Sequence, residues 1–162
     1  MEIYGVIHSQ YQAALEMLRQ AIVACPEPLW DAAEDQNRFW RVAYHALFYT
    51  HLYLQPTMDD FTPWAKHQDE YASPSSGQTQ AAAAPYDKED LLAYHELCRE
   101  QVRKQVPALD LDDESGFHWL PFNKLELQFY NIRHLQHHTG QLYERLRTRA
   151  DVGAGWIGAR HE

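Results

Sequence analysis

The side chains with the clearest capacity for chemistry are histidines, of which the chain has 10 in 162 residues. His134 and His138 stand one helical turn apart in a segment with helical periodicity. At about 100° per residue they lie roughly 180° and 220° from Leu125, on the border of the apolar arc, whereas His137 lies roughly 120° from it and points toward solvent. Imidazoles at i and i+4 can present two ring nitrogens to one cation. This spacing therefore predicts a metal-binding pair.

His45 is the candidate for a third ligand. It lies among Val42, Tyr49 and Leu52 on a predicted helix that is apolar nearly all round, so it faces an apolar wall. Three neutral imidazoles and a water form the type of site found in metalloenzymes, with one open coordination position. The competing interpretation is that His45 is a core histidine with one hydrogen-bond partner, and that the helical pair arises by chance.

Other polar side chains on the predicted helices leave alternatives open. His95 and Cys98 share the inward seam of a predicted helix and could close the site as further ligands. We favour core packing for both, because buried cysteine is common and a histidine tolerates burial with one polar partner. Gln141, one turn beyond His138, could orient a ligand or substrate, or it could simply be solvated.

The residue spacing in this sequence does not match other known catalytic and metal-binding motifs. The chain has no His-Glu-x-x-His and no Glu-x-x-His, which excludes the zincin and ferritin-like patterns. The acidic stretch beginning at Asp110 has Ser115 and Pro121 where a calcium loop needs Gly and Glu. Neither a Gly-rich phosphate loop nor a nucleophile elbow is present in the sequence.

The elements that must position these histidines are predicted to be four helices. Helical periodicity covers residues 3–24, 36–55, 87–106 and 122–148, with Asp35, Asn37 and Asp87 as capping candidates. Without strand candidates, this pattern predicts an all-α fold, a four-helix bundle. The long connection 56–86 can span a helix of about 30 Å, so it predicts a crossover that lets helices 2 and 3 lie parallel. One domain is expected over 1–150, followed by an irregular tail over 151–162.

Composition narrows the class of partner and the compartment. A net charge of −9 and only 14 scattered Lys and Arg residues argue against binding to nucleic acid. No apolar run approaches the roughly 18 residues of a membrane span, and the N-terminal residues do not resemble a signal peptide. The presence of only 2 cysteines predicts no disulfide framework and fits a reducing, cytoplasmic location.

The second predicted helix also bears on assembly. Its apolar and aromatic side chains lie on every face, among them Trp40, Tyr44, Leu47, Phe48 and Leu54. We expect that a single bundle core cannot bury all of these faces. The pattern therefore predicts a homodimer with helix 2 or the adjacent crossover at the interface.

Two segments of the chain resemble a known family. RVAYHALFYTHLYL on the second predicted helix and NIRHLQHHTGQLYERL on the fourth resemble the DinB-like superfamily, also called the DinB/YfiT-like metalloenzymes. His45 matches the histidine on that family's second helix. Its C-terminal signature is matched by His134, His138, Gly140, Gln141 and Leu142. The four-helix layout with a long crossover agrees over nearly the whole chain.

This resemblance implies a divalent metal ion, zinc or nickel, held by His45, His134 and His138. It also implies a homodimer and, by similarity to members with known activity, a transferase or isomerase that uses a low-molecular-weight thiol such as mycothiol, bacillithiol or glutathione on a small electrophilic substrate. A metal-bound water would instead support hydrolysis. The alternative class is a non-catalytic bundle that holds a structural metal or binds a small ligand in a stress response.

Overall fold

The structure is a computed structural model that describes residues 3–71 and 84–161. Within these ranges it is all-α, with no β-strand. The helices are α1 (Ile3–Ala24), α2 (Glu27–Trp30), α3 (Phe39–Tyr53), α4 (Lys88–Gln105) and α5 (Lys124–Ala150), with 3₁₀ turns at Asp69–Tyr71 and Val106–Ala108. The all-α prediction is confirmed. Part of the predicted crossover, residues 72–83, lies outside the described residues.

Side-chain caps mark the N-terminal ends of α4 and α5. Asp87 caps α4 as predicted, since its side chain accepts a hydrogen bond from the Asp90 backbone N–H. Asn123 caps α5 in the same way by accepting from the Glu126 N–H. Helix α5 therefore begins at Lys124, two residues after the predicted start at residue 122.

The region before α3 departs most from the sequence-based expectation. Helix α3 starts at Phe39 after Arg38, which makes no side-chain cap, so Asp35 and Asn37 are not caps. Asp35 instead forms an ion pair with Arg149. The short helix α2 is not among the predicted helices, although Pro28 in its first turn is well tolerated there.

The order of contacts gives the directions of the long helices. Helices α3 and α5 run antiparallel, because the Asn37 carbonyl just before α3 accepts from Arg145, while Tyr53 at its end packs on Tyr130. Helices α3 and α4 run in the same direction, from the contact of Tyr44 with Tyr94 to the bond between Gln55 and Gln105. Helix α1 packs on both α4 and α5.

Helix α3 is buried within a single chain. Its 15 residues include 13 that are buried. Aromatic side chains of the connection between α3 and α4 cover the face that α4 and α5 leave open, and these side chains are Phe61, Trp64, Tyr71 and Tyr86. The expectation that one core could not bury every face of this helix is wrong, because the long connection supplies the missing cover. The homodimer itself stays a prediction.

The C-terminal residues after α5 have no regular secondary structure through residue 161. They run along α1, where the Gly155 N–H donates to the Gln20 side chain at 3.0 Å and Arg160 pairs with Glu16 at 2.8 Å. None of the described helices has the length and apolarity needed to cross a membrane.

Candidate metal centre

The seam between α3 and α5 brings the predicted histidines together. His134 Nε2 lies 3.1 Å from His45 Nε2 and 3.1 Å from His138 Nε2. One ring nitrogen from each of the three residues lies within 4.8 Å of the others. Because α3 and α5 are antiparallel neighbours, residues far apart in sequence meet at one level of the structure.

The spacing of these nitrogens fits a small divalent cation. Two imidazole nitrogens that bind one zinc ion at about 2.0–2.1 Å lie about 3.4 Å apart at a tetrahedral angle. The observed separations of 3.1 Å are within a few tenths of an ångström of that value. Two of the three separations therefore suit a shared cation as they stand, and the third lies within 4.8 Å.

The protonation state of the cluster also suits a cation. Burial, with smaller contributions from His138 and His45, lowers the pKa of His134 to about 3. Burial likewise lowers the pKa of His138, and the hydrogen bond to Gln141 opposes that shift. The neutral form that metal binding requires is therefore present at pH 7 without a proton having to leave.

Gln141 fixes the orientation of one candidate ligand. The Nδ1–H of His138 donates to Gln141 Oε1 at 2.9 Å, which leaves Nε2 of the same ring as a lone-pair donor toward the cluster. The amide of Gln141 in turn donates to His137 Nε2 at 3.1 Å. Of the two roles left open by the sequence, the structure shows the orienting one. His137 is exposed and lies outside the cluster.

Tyrosine rings surround the cluster on one side. Tyr49 packs on His45 at 4.8 Å and on His134 at 5.4 Å between ring centroids, and Tyr130 stacks on His134 at 6.5 Å. Nδ1 of His134 is buried and has no hydrogen-bond partner among the described residues, so aromatic packing holds this ring. A cavity of about 240 Å³ next to His134 is lined by Tyr130, Arg133 and His137. All the residues that line this cavity belong to helix α5.

His95 and Cys98 do not close the site. His95 is 1% exposed and its Nε2 donates to the Leu15 carbonyl at 2.9 Å. Cys98 is fully buried, and its Sγ donates to the Leu47 carbonyl at 3.5 Å. Core packing is the correct interpretation of both. Within the described parts of the chain the group that could hold a metal ion comprises only the three predicted histidines, and a tetrahedral ion held by them would keep one position for water or substrate.

Two histidines that the sequence did not single out occupy specific positions. His51 is 4% exposed and lies beside Tyr94 of α4, about 120° around α3 from His45. His67, in the connection between α3 and α4, bonds to the Tyr44 hydroxyl through Nδ1 at 2.5 Å and to Asp69 through Nε2 at 2.9 Å. No local pattern signals these partners, because each comes from another part of the fold.

Comparisons with known proteins do not assign this chain to a family. The chain matches no known family model, no curated protein and no solved structure. The chemistry of the site is therefore argued from the three converging imidazoles and the groups that hold them.

Proposed function

We propose that this chain is a divalent-metal-dependent enzyme whose metal ion is held by His45, His134 and His138. The observation that carries the proposal is the convergence of three imidazoles: His134 Nε2 lies 3.1 Å from Nε2 of both His45 and His138, and the ring nitrogens of all three lie within 4.8 Å of one another. No fourth protein ligand is present among the described residues. Three imidazoles suit zinc and nickel equally, and we propose one of these two ions.

We also propose that the fold is a four-helix bundle of the DinB-like type, with a crossover between its second and third long helices. Support comes from the same-direction packing of α3 on α4 and the antiparallel packing of α3 on α5. The sequence resemblance places the three histidines on matching helices. Homodimer formation and a cytoplasmic location remain predictions, and the two buried free cysteines are compatible with a reducing compartment.

A bound divalent cation would lower the pKa of a coordinated water or thiol enough to give a nucleophile at neutral pH. The protein's own residues would do the rest. The imidazoles of His134 and His138 stay neutral, Gln141 holds His138 in the tautomer that presents Nε2, and the Tyr49 and Tyr130 rings pack on His134. We propose thiol transfer to a small electrophile as the reaction.

The first experiment is metal analysis of freshly purified protein by inductively coupled plasma mass spectrometry. We expect close to one zinc or nickel ion per chain, lost in His134→Ala and kept in the control His118→Ala, which alters an exposed histidine. Circular dichroism in a strong chelator then separates two roles. Retained helicity is expected for an open enzymatic site, whereas a structural site would unfold, because its binding free energy is folding free energy.

The second experiment tests the reaction. Metal-loaded protein is incubated with glutathione, mycothiol or bacillithiol and a small epoxide or activated arene, and thiol consumption is followed. The proposal expects consumption that depends on the metal and is lost in His134→Ala. Metal binding without turnover of any thiol would reject thiol transfer and direct the search to hydrolysis.

A further inference from the structure

A second polar groove lies on the other side of α3, away from the three histidines. It has a volume of about 650 Å³ and lies between the C-terminal end of α3, the following connection and α4. That volume suits a small organic ligand. The polar and aromatic side chains that matter here are His51, Gln55, Trp64, Gln101, Lys104 and Gln105. None of them belongs to the candidate metal centre, so this groove extends beyond the proposed function.

His51 presents a hydrogen-bond donor to the groove. Its Nδ1 lies 3.3 Å from the Tyr94 hydroxyl, and both residues are buried. Because the hydroxyl of Tyr94 has no other acceptor among the described residues, it donates to Nδ1, and the ring proton of His51 sits on Nε2. Burial lowers the pKa of His51 to about 4, so the ring is neutral at pH 7. Nε2 bonds to no described residue and belongs to the groove wall.

Among the glutamines of the wall, the side-chain oxygens of Gln55 and Gln101 already accept hydrogen bonds, whereas one side-chain nitrogen has no acceptor within the described ranges. Gln55 and Gln105 both donate to Gln101 Oε1 at 3.3 Å, and Gln105 also donates to Gln55 Oε1 at 3.4 Å. The Gln55 amide donates to the His51 carbonyl as well, at 3.0 Å. The amide nitrogen of Gln101 therefore remains as a donor with no acceptor among the described residues.

The groove also contains a cation, which like the hydrogen-bond donors favours an anionic ligand. Lys104 is exposed and forms no ion pair with any residue in the described ranges. The opposing group is Asp60, whose Oδ2 already accepts a hydrogen bond from Thr57 at 2.6 Å. One cation and two neutral donors suit a single carboxylate, while Asp60 disfavours ligands with several negative charges.

We propose that this groove binds a small aromatic monocarboxylate, with the carboxylate on His51, Gln101 and Lys104 and the aromatic part against Trp64. Trp64 is half-buried and stacks on Tyr94 at 4.6 Å and 3°, which holds the indole rigidly as one wall of the groove. Aromatic and apolar surface with a few fixed donors is the usual composition of a small-molecule site.

The test uses 4-fluorophenylacetate as the probe and fluorine NMR titration of the full chain as the measurement. The neutral amide, 4-fluorophenylacetamide, is the matched ligand control, and we expect it to bind at least about 10-fold more weakly. Lys104→Gln and Gln101→Glu should each weaken the acid by about 10-fold or more, because each removes a donor and the second adds a repelling charge. Arg147→Gln, which removes an exposed cation from α5, is the matched charge control and should leave affinity unchanged.

A carboxylate could also bind a metal ion, so the location of binding needs its own control. His134→Ala and chelated wild-type protein should bind the probe as well as metal-loaded protein does. Loss of binding in either would overturn this proposal while leaving the proposed metal site intact. Equal binding of acid and amide, equal loss in Arg147→Gln, or no binding at millimolar probe would also overturn it. His51→Phe adds a third donor deletion, and its fold is checked by circular dichroism because the residue is buried.

Discussion

Two regions of this molecule carry inward-facing histidines on helices and differ in what those histidines meet. At the seam of α3 and α5, His134 Nε2 lies 3.1 Å from a ring nitrogen of His45 and 3.1 Å from one of His138. On α4, His95 and Cys98 each face a backbone carbonyl of a neighbouring helix instead. The difference teaches that the partner of a buried histidine, rather than its burial, decides whether it can bind a metal.

The pKa directions reinforce this point. Burial lowers the pKa of His134 to about 3 and that of His95 to about 4, so both rings are neutral at pH 7 for the same physical reason. In the first case the neighbouring histidines add to the shift, and in the second the hydrogen bond to the Leu15 carbonyl opposes it. A lowered pKa alone would not have separated the two regions.

The largest expected effect is on metal binding. His134→Ala removes the central nitrogen of the cluster and should weaken metal affinity by more than about 100-fold, since loss of a ligand exceeds the loss of its supporting groups. His95→Ala should leave the affinity unchanged. Competition titration against a calibrated chelator measures both variants. A comparable loss of affinity in the two would erase the distinction between the regions.

In the free energy of unfolding the two variants should rank in the opposite order, with the greater loss in His95→Ala. His95→Ala creates a cavity in the core and leaves the buried Leu15 carbonyl without its side-chain donor, so we expect a loss of about 2–3 kcal/mol in the free energy of unfolding. His134 is only half-buried and makes no bond to the backbone, so His134→Ala should cost less than about 1 kcal/mol in the metal-free protein. Urea unfolding in the presence of a chelator checks the ranking, which a greater loss in His134→Ala would contradict.

Lowering the pH should destabilise the folded protein through the lowered pKa of His95 on α4. The ring has a pKa of about 4 when folded against a reference value of 6.5, so between these values the unfolded state binds the extra proton. The free energy of unfolding should therefore fall as pH drops from about 6.5 to 4, by up to roughly 3 kcal/mol from this residue. His95→Gln keeps an amide donor for Leu15 and should flatten that part of the profile.

The matched control for acid unfolding is His118→Gln, which alters an exposed histidine and should leave the profile unchanged. Part of the slope should persist in His95→Gln because burial also lowers the pKa of His51 to about 4 and that of His134 to about 3. Urea unfolding between pH 4 and 7 measures the profiles. An unaltered slope in His95→Gln would show that the ring is not held neutral in the folded state.

The smallest expected effect on metal affinity concerns Gln141, which supports one of the three candidate ligands. Gln141→Ala removes the acceptor for His138 Nδ1–H, so the ring is free to turn and to change tautomer, and metal affinity should fall by about 10-fold. Gln136→Ala, on the same helix and outside the cluster, is the control. Equal affinities of the two variants would mean that Gln141 does not orient His138.

Sequence alone determined the features that depend on local spacing. The period of apolar residues gave the all-α class and the positions of the long helices, because each helix must bury one continuous stripe. It also selected His45, His134 and His138 as the candidate ligands and placed His137 toward solvent, since helical geometry fixes the direction of a side chain from its position.

Only the tertiary structure decided what each inward side chain meets. Aromatic residues of the connection cover α3, so its uniformly apolar surface is accounted for within one chain. His95 found a backbone carbonyl, Gln141 bonded to His138, and His51 came to line a separate groove. Periodicity is set within one helix, whereas these partners come from other segments whose position depends on how the helices pack.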